Sequence, residues 1–143
     1  MMKNLFISKA SITINAPAMK VWDALTKPEL IKQYLFGTDV RTDWRVGSPI
    51  IYTGIWNGRE YKDKGRVLQV EVGKLLVSSF WSSLSGLPDT PENYKTVRYE
   101  LTAESSGTSL TIIQDNNDSQ EEADHSSQNW KMVLEGIKKL LEG

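Results

Sequence analysis

Residues 119–142 read SQEEADHSSQNWKMVLEGIKKLLE, and the remaining chain is organised around this stretch. At roughly 100° per residue, an α-helix would place its large apolar side chains on one face. These side chains are Trp130, Val133, Leu134, Ile137, Leu140 and Leu141. Ser119 and Glu122 have the spacing of a capping box, and further acidic residues follow at the positive end of the helix dipole. The pattern therefore predicts a C-terminal helix ~36 Å long.

The apolar stripe of this helix changes in size toward its N-terminus. Traced backward from Trp130, it continues through the small side chains of Ser127, Ser126 and Ala123. Large residues at one end of a helix pack tightly, whereas small residues at the other end leave space beneath it. The pattern suggests a cavity at this end, although fraying of the first turns into water would explain it equally well.

Composition narrows the classes of protein that the chain can belong to. Its 143 residues suit one domain with a substantial core. The 17 basic and 18 acidic residues are interspersed, so no nucleic-acid-binding face is predicted. The absence of cysteine excludes disulfides, thiolate metal sites and a cysteine nucleophile. No run approaches the ~20 apolar residues of a membrane span and no signal peptide is predicted, so we expect a cytoplasmic protein.

The N-terminal part of the chain predicts one strand and two short helices. Alternating side chains predict the strand over residues 3–14, with a bulge where the phase changes. Asn15 is in position to cap the first helix, whose buried face would include Met19 and Trp22. Pro28 suits the first position of a second helix, because a missing N–H does no harm there.

The middle of the chain predicts antiparallel strands joined by hairpins. Asn57-Gly58 is a strong hairpin signal, and Gly65 indicates a bend in the strand that follows. The alternation predicts a sheet with one face exposed to solvent and one apolar face. Only the C-terminal helix is long enough to cover the apolar face. The predicted strands cover residues 40–44, 48–56, 59–72, 75–82, 95–104 and 108–114.

The segment Ser82–Asn93 interrupts this series of strands. It contains Gly86, Pro88 and Pro91, and its length exceeds that of an ordinary hairpin loop. Leu84 and Leu87 would give it apolar side chains able to close over a ligand. We interpret the segment as a mobile gate, with an exposed surface loop as the equal alternative.

Three long stretches carry a resemblance to a known family. They are ITINAPAMKVWDALTKPELIKQYLFG, TDWRVGSPIIYTGIWNGREYKDKGRVLQVE and NWKMVLEGIKKLLEG, in that order. The chain resembles the START-related (SRPBCC) superfamily and, within it, the homologues of the heat-shock-protein ATPase activator. The resemblance implies an α+β helix-grip fold over residues 1–143. In this fold a curved antiparallel sheet of six or seven strands wraps around a long C-terminal helix, with an elongated cavity between them.

The resemblance does not imply one activity. Members bind lipids, hormones or polyketides, some are enzymes, and the family has no shared catalytic triad. We expect this chain to bind a small, largely hydrophobic molecule in its cavity. A cyclase- or hydrolase-like enzyme and a stress-linked or chaperone-accessory interaction protein are the alternatives, and a homodimer stays open.

Aromatic residues are the best candidates for contacts with such a ligand. Tyr and Trp combine an apolar body with a polar tip, as a ligand cavity requires. Ordinary core packing is the alternative for any one of them. Alternation does not decide whether Phe80 or Trp81 faces inward. The predicted ligand-binding residues are Trp56, Tyr61, Trp81, Tyr99, Ala123, Ser126, Ser127 and Trp130.

Other chemistry finds little support in the sequence. His125 is the single histidine and points roughly 140° away from Trp130 by helical phase, so we expect it to face water and to be dispensable. One histidine without cysteine predicts no metal site. Glu60 and Asp63 would supply an acid only if a carboxylate entered the cavity, and exposure is the favoured reading. No catalytic residue, metal or cofactor is predicted.

Overall fold

The computed structural model describes residues 6–143, and within this range it contains seven β-strands and three α-helices. A short 3-10 turn, Pro91–Asn93, precedes the sixth strand. The elements are β1 Ser8–Ile14, α1 Ala18–Thr26, α2 Pro28–Tyr34, β2 Asp39–Arg41, β3 Pro49–Trp56, β4 Arg59–Glu71, β5 Leu75–Phe80, β6 Lys95–Glu104, β7 Gly107–Gln114 and α3 Gln120–Glu142.

The strands form one curved antiparallel sheet in the order β1-β7-β6-β5-β4-β3-β2. Hairpins join β3 through β7 in sequence, whereas β1 returns to pair with β7. Asn57 and Gly58 both have positive φ, 51° and 77°, as the tight turn between β3 and β4 requires. The predicted α+β helix-grip fold is confirmed.

The inner face of the sheet is a continuous row of paired side chains. Ala10 lies opposite Ile112, Ile112 opposite Tyr99, and Tyr99 opposite Leu76. Because directly paired residues share a face, this row crosses four strands. The helix α3 covers the row, and its Leu134 is fully buried in the resulting core.

The predicted bulge in the first strand is wrong for the part of it that the structure describes. From Ser8 to Ile14, β1 pairs with β7 without a break in register. Ser8 and Ala10 are buried in the same phase as Ile14, while Ile7 precedes the strand. Polar Ser8 hid this phase in the sequence. The portion of the predicted strand before residue 6 lies outside the described residues.

The start of α1 also differs from the prediction. The helix begins after Pro17, and no side chain caps it. Asn15 instead donates its backbone N–H to Glu142 Oε2 at 2.8 Å, which ties the chain to the end of α3. Trp22 is buried as predicted, whereas Met19 is 51% exposed, because the buried face of α1 is formed by Val21, Trp22, Ala24 and Leu25.

The N-terminus of α3 is capped much as predicted. Ser119 Oγ accepts the N–H of Glu122 at 3.1 Å. The Glu122 carboxylate accepts the N–H of Asp118 at 2.8 Å, one residue earlier than in a capping box. These bonds fix the first turn, so fraying does not explain the small residues at this end.

Candidate ligand-binding cavity

A cavity of about 630 Å³ lies between the inner face of the sheet and α3. This volume is within the usual range for small-molecule sites. Its wall comes from α2, from strands β3 to β7 and from α3. The main lining side chains are Tyr34, Thr38, Tyr52, Trp56, Tyr61, Asp63, Ser78, Phe80, Lys95, Val97, Tyr99, Gln114, Asn117, Glu122, His125, Ser126, Asn129, Trp130, Val133 and Ile137.

Two aromatic pairs form the walls of the cavity. The ring of Tyr52 meets Phe80 edge to face, with centroids 5.6 Å apart. Tyr99 meets Trp130 in the same geometry at 6.2 Å. Edge-to-face contacts are the preferred geometry for aromatic rings and hold each ring in place. The cavity is therefore bordered by fixed aromatic surfaces from both the sheet and the helix.

One end of the cavity is polar. Trp130 Nε1 donates to Gln114 Oε1 at 2.8 Å, which joins α3 to β7. Lys95 Nζ donates to the Asn116 carbonyl at 2.8 Å and lies 3.3 Å from Glu122 Oε1. The charge of the lysine is thus balanced within the wall, so this end offers hydrogen-bonding groups without a large net charge.

Another part of the cavity wall forms an apolar entrance. Phe36, Ile55, Trp56 and Leu84 line the cavity yet are exposed to solvent. Phe36 is 76% exposed and its ring lies 6.4 Å from that of Trp56. Exposed side chains of this size at a cavity mouth are typical of a place where an apolar molecule enters.

The carboxylate of Asp63 borders the cavity but is committed to the loop beside it. It accepts hydrogen bonds from Ser82 Oγ and from the Ser83 N–H, both at 3.0 Å. Glu60 is exposed, as expected, and does not line the cavity. The segment Ser82–Asn93 is therefore fixed to β4 at its start, and Leu84 follows directly at the cavity entrance.

Two of the four tyrosines in the wall have fixed partners for their hydroxyls. Tyr34 donates to the Ala24 carbonyl at 2.8 Å, and the hydroxyls of Tyr61 and Thr38 are 2.5 Å apart. Burial is the main cause that raises the pKa of Tyr34 above its usual range. The Tyr34 phenol therefore stays neutral at physiological pH.

The structure brings five of the eight predicted ligand-binding residues to the cavity wall. They are Trp56, Tyr61, Tyr99, Ser126 and Trp130. Their role in binding stays a prediction, because the geometry shows only their position.

Trp81 lies outside the cavity wall, and Phe80 occupies the inward position. Phe80 pairs with Lys95, which shares its face and also lines the cavity. Trp81 points to the other side, where Lys64 Nζ is 5.7 Å from its ring centroid and Leu87 accepts its Nε1–H at 3.2 Å. Alternation could not decide this, because residues 75–78 are buried on both faces of the sheet.

Ala123 and Ser127 also lie outside the cavity wall. Ala123 is buried, and Ser127 Oγ donates to its carbonyl at 2.9 Å. The same Oγ accepts the backbone N–H of Lys9 at 3.1 Å. These two small side chains let α3 approach β1 closely, so of the three small residues only Ser126 borders the open space.

The sequence did not identify several residues of the wall. His125 is exposed as expected, yet it also borders the cavity, which helical phase did not indicate. Tyr52 was hidden by Ile50 and Ile51, because two adjacent apolar residues give no inward phase. Its pairing with Asp63 would have placed both on one face once the hairpin register was known. Among residues 6–143, no group of three His, Cys, Asp or Glu side chains is arranged to hold a metal ion.

The fold and the cavity define a helix-grip protein, in which a curved sheet and a C-terminal helix enclose an internal space. The family model described as "Activator of Hsp90 ATPase homolog 1-like protein" matches residues 15–142. The chain therefore belongs to this family, as its resemblance predicted. Comparison with functionally curated proteins gave no match. No helix in residues 6–143 is long and apolar enough to cross a membrane.

Solved structures of similar proteins share the fold. ChR145 from Cytophaga hutchinsonii is 46% identical, with a TM-score of 0.86 over 99% of this chain and 96% of that one. MLL2253 from Mesorhizobium loti is 26% identical, with a TM-score of 0.74 over 95% and 96% of the two chains. DynU16, from the dynemicin biosynthetic locus, is 19% identical with a TM-score of 0.79. The match covers 96% of this chain and 48% of DynU16, and it shows likeness of fold alone.

Proposed function

We propose that this protein binds a small, largely apolar molecule, without covalent chemistry, in the cavity between the sheet and α3. The observation that carries the proposal is the cavity itself, about 630 Å³ in volume, with aromatic walls and an apolar entrance. A space of this kind is costly to leave empty, because its lining side chains lose contacts that a packed core would provide. A bound apolar molecule would restore those contacts.

The charges in the wall favour binding over acid–base catalysis. Asp63 accepts hydrogen bonds from the Ser82–Ser83 turn, and Glu122 is engaged by Lys95 and by a backbone N–H. A general acid must give its proton to a substrate, whereas these two carboxylates are already engaged by donors within the protein. Both acids therefore serve to hold the wall together.

Native mass spectrometry of the protein purified from its own host tests this function. We expect the folded protein to carry one small molecule that denaturation releases. Ser126→Phe should fill part of the cavity and reduce the bound fraction, whereas Ser126→Ala at the same position should retain it. The Ser126 side chain lines the cavity in the N-terminal third of α3.

Two results together would contradict the proposal. The first is that protein from the host carries no small molecule. The second is that the purified protein binds none of a panel of fatty acids, aromatic ketones and polycyclic hydrocarbons. Circular dichroism of both Ser126 variants controls for loss of folding.

A further inference from the structure

Two tyrosine hydroxyls in the cavity wall differ from the other three in the chain. Tyr34, Tyr61 and Tyr94 each have a hydrogen-bond partner within the protein. Tyr52 and Tyr99 have none among residues 6–143. In this same range no sealed side-chain oxygen or nitrogen lacks a partner, so both hydroxyls open on the cavity that their residues line.

The two side chains border the same spaces although they come from different strands. Both line the main cavity, and both also line a void of about 30 Å³ beside it, which Ser78 and Leu76 close from β5. Burial first, and then the phenols of Tyr52 and Tyr34, raise the pKa of Tyr99. The hydroxyls therefore present a pair of polar groups within an otherwise aromatic wall.

The protonation state of this pair restricts what it recognises. Burial is the main cause that raises the pKa of both Tyr52 and Tyr99, so both remain O–H donors at physiological pH. A carbonyl oxygen has two lone pairs and accepts two such donors. The Asp63 carboxylate interacts with Tyr52 and disfavours a negatively charged oxygen beside it. A neutral carbonyl therefore fits the pair better than a carboxylate does.

We propose that the hydroxyls of Tyr52 and Tyr99 bind the carbonyl oxygen of a planar aromatic ketone. The rings of Phe80 and Trp130, each edge to face with one of these tyrosines, flank the body of the ligand. This inference rests on the proposed function and specifies its ligand class. A polar group left without a partner in an apolar wall is costly, and the ligand carbonyl removes that cost.

A matched pair of probes tests the role of the carbonyl. Xanthone and xanthene have the same three-ring frame and differ by a carbonyl in place of a methylene. We expect wild-type protein to bind xanthone about tenfold more tightly, since two hydrogen bonds form only with the ketone. Tyr52→Phe and Tyr99→Phe should each weaken xanthone binding about threefold to tenfold and leave xanthene binding unchanged. Isothermal titration calorimetry measures all of these affinities.

Tyr94→Phe is the control, because the Tyr94 hydroxyl bonds Asp89 and lies away from the cavity wall. It should leave both affinities unchanged. Denaturation midpoints provide a second control. Tyr52→Phe and Tyr99→Phe should be as stable as wild type, since neither change removes a hydrogen bond within the protein. A clear loss of stability in either variant would mean that its hydroxyl is structural and would overturn the inference.

The outcomes separate this inference from the proposed function. If xanthone and xanthene bind with equal affinity, a water in the small void satisfies the hydroxyls, and only the inference fails. If xanthone does not bind and a fatty acid does, the inference also fails while apolar ligand binding stands. If none of these probes binds and protein from the host carries no small molecule, both are contradicted.

Discussion

Trp130 is the side chain at which the core of the protein gives way to its cavity. Toward the C-terminus of α3, Leu134 and Ile137 are fully buried. Trp130 itself is half-buried, with its ring against Tyr99 and its N–H on Gln114. It therefore links helix to sheet on one side and borders open space on the other.

Trp130→Ala should lower the free energy of unfolding by about 3 kcal/mol, near the lower end for buried aromatics, because one side of the ring already borders space. Trp130→Phe keeps one aromatic ring but loses the pyrrole part of the indole and its hydrogen bond to Gln114, so we expect a loss between about 1 kcal/mol and that of Trp130→Ala. Urea denaturation measures both. A loss below 1 kcal/mol for Trp130→Ala would show that the residue does not anchor the helix.

Gly65 is a second residue whose surroundings explain why glycine occupies the position. A Cβ atom at this position would lie 1.8 Å from the carbonyl oxygen of Ser79 on the neighbouring strand. Such an atom would collide with backbone, which cannot move aside as a side chain does.

Gly65→Ala should therefore destabilise the protein by at least the ~1–3 kcal/mol of ordinary overpacking. Thermal denaturation of this variant, beside Thr53→Ala as a single-methyl-scale change elsewhere in the same hairpin, measures the effect. Wild-type stability in Gly65→Ala would mean that β4 and β5 do not approach as closely as described.

At the scale of elements, α3 is held at its C-terminal end by one carboxylate. Glu142 accepts the N–H of Asn15 at 2.8 Å and the Lys138 ammonium at 2.6 Å. The N–H of Asn15 is the larger cause, and Lys138 the second, that lower the pKa of Glu142 below its ordinary value of 4.5. The folded protein therefore prefers the ionised carboxylate more than the unfolded chain does.

This preference gives stability a pH dependence of known sign. The stabilisation that ionised Glu142 contributes is fully present above the ordinary pKa of the group. It is lost as pH falls through the lower pKa that the group has in the folded protein. Glu142→Gln should thus reduce the change in unfolding midpoint between pH 7 and pH 3.5. Glu135→Gln, on an exposed part of the same helix, should leave that change as it is in wild type. Equal pH dependence in wild type and Glu142→Gln would contradict this anchor.

The segment Ser82–Asn93 is more firmly attached than a free loop. Asp63 holds its start, Leu87 accepts a hydrogen bond from Trp81, and Asp89 forms an ion pair with Lys64. Leu84, between these anchors, is exposed and lines the cavity. Any opening should therefore be confined to the part around Leu84.

The gate interpretation predicts protection of this part when the cavity is occupied. Amide hydrogen exchange around residues 83–86 should slow on addition of an apolar ligand, whereas exchange at Glu92 and Asn93 should change little. Asp63→Asn weakens the attachment and should speed exchange in the free protein. Unaltered exchange at 83–86 with a ligand that demonstrably binds would refute the gate.

At the scale of the whole molecule, the order of the secondary-structure elements and the long C-terminal helix were predictable from the sequence. The strands β6 and β7 and the helix α3 each bury one face. Alternation in the strands and the apolar stripe of the helix were therefore enough to predict their inward residues. The inward residue of β5 was not, because both faces are buried near Leu75 and Val77 and only pairing with β6 places Phe80 inside.

The cavity itself depends on features that sequence patterns do not record. Ala123 and Ser127 are small because the helix approaches β1, whereas Ser126 is small beside open space. Small side chains therefore occur on α3 for two different structural reasons. The inward position of Tyr52 likewise follows from the register of the β3–β4 hairpin rather than from its neighbours in sequence.

The most direct test of cavity binding uses the five tryptophan indole N–H signals in a ¹⁵N–¹H correlation spectrum, titrated with an apolar ligand. Trp56 and Trp130 line the cavity, whereas Trp22 is core and the Trp44 N–H is bonded to the Thr26 carbonyl at 2.8 Å. We predict saturable shifts of the Trp56 and Trp130 signals, with the Trp22 and Trp44 signals unmoved. A ligand that binds at one site and leaves the Trp130 signal in place would contradict binding between the sheet and α3.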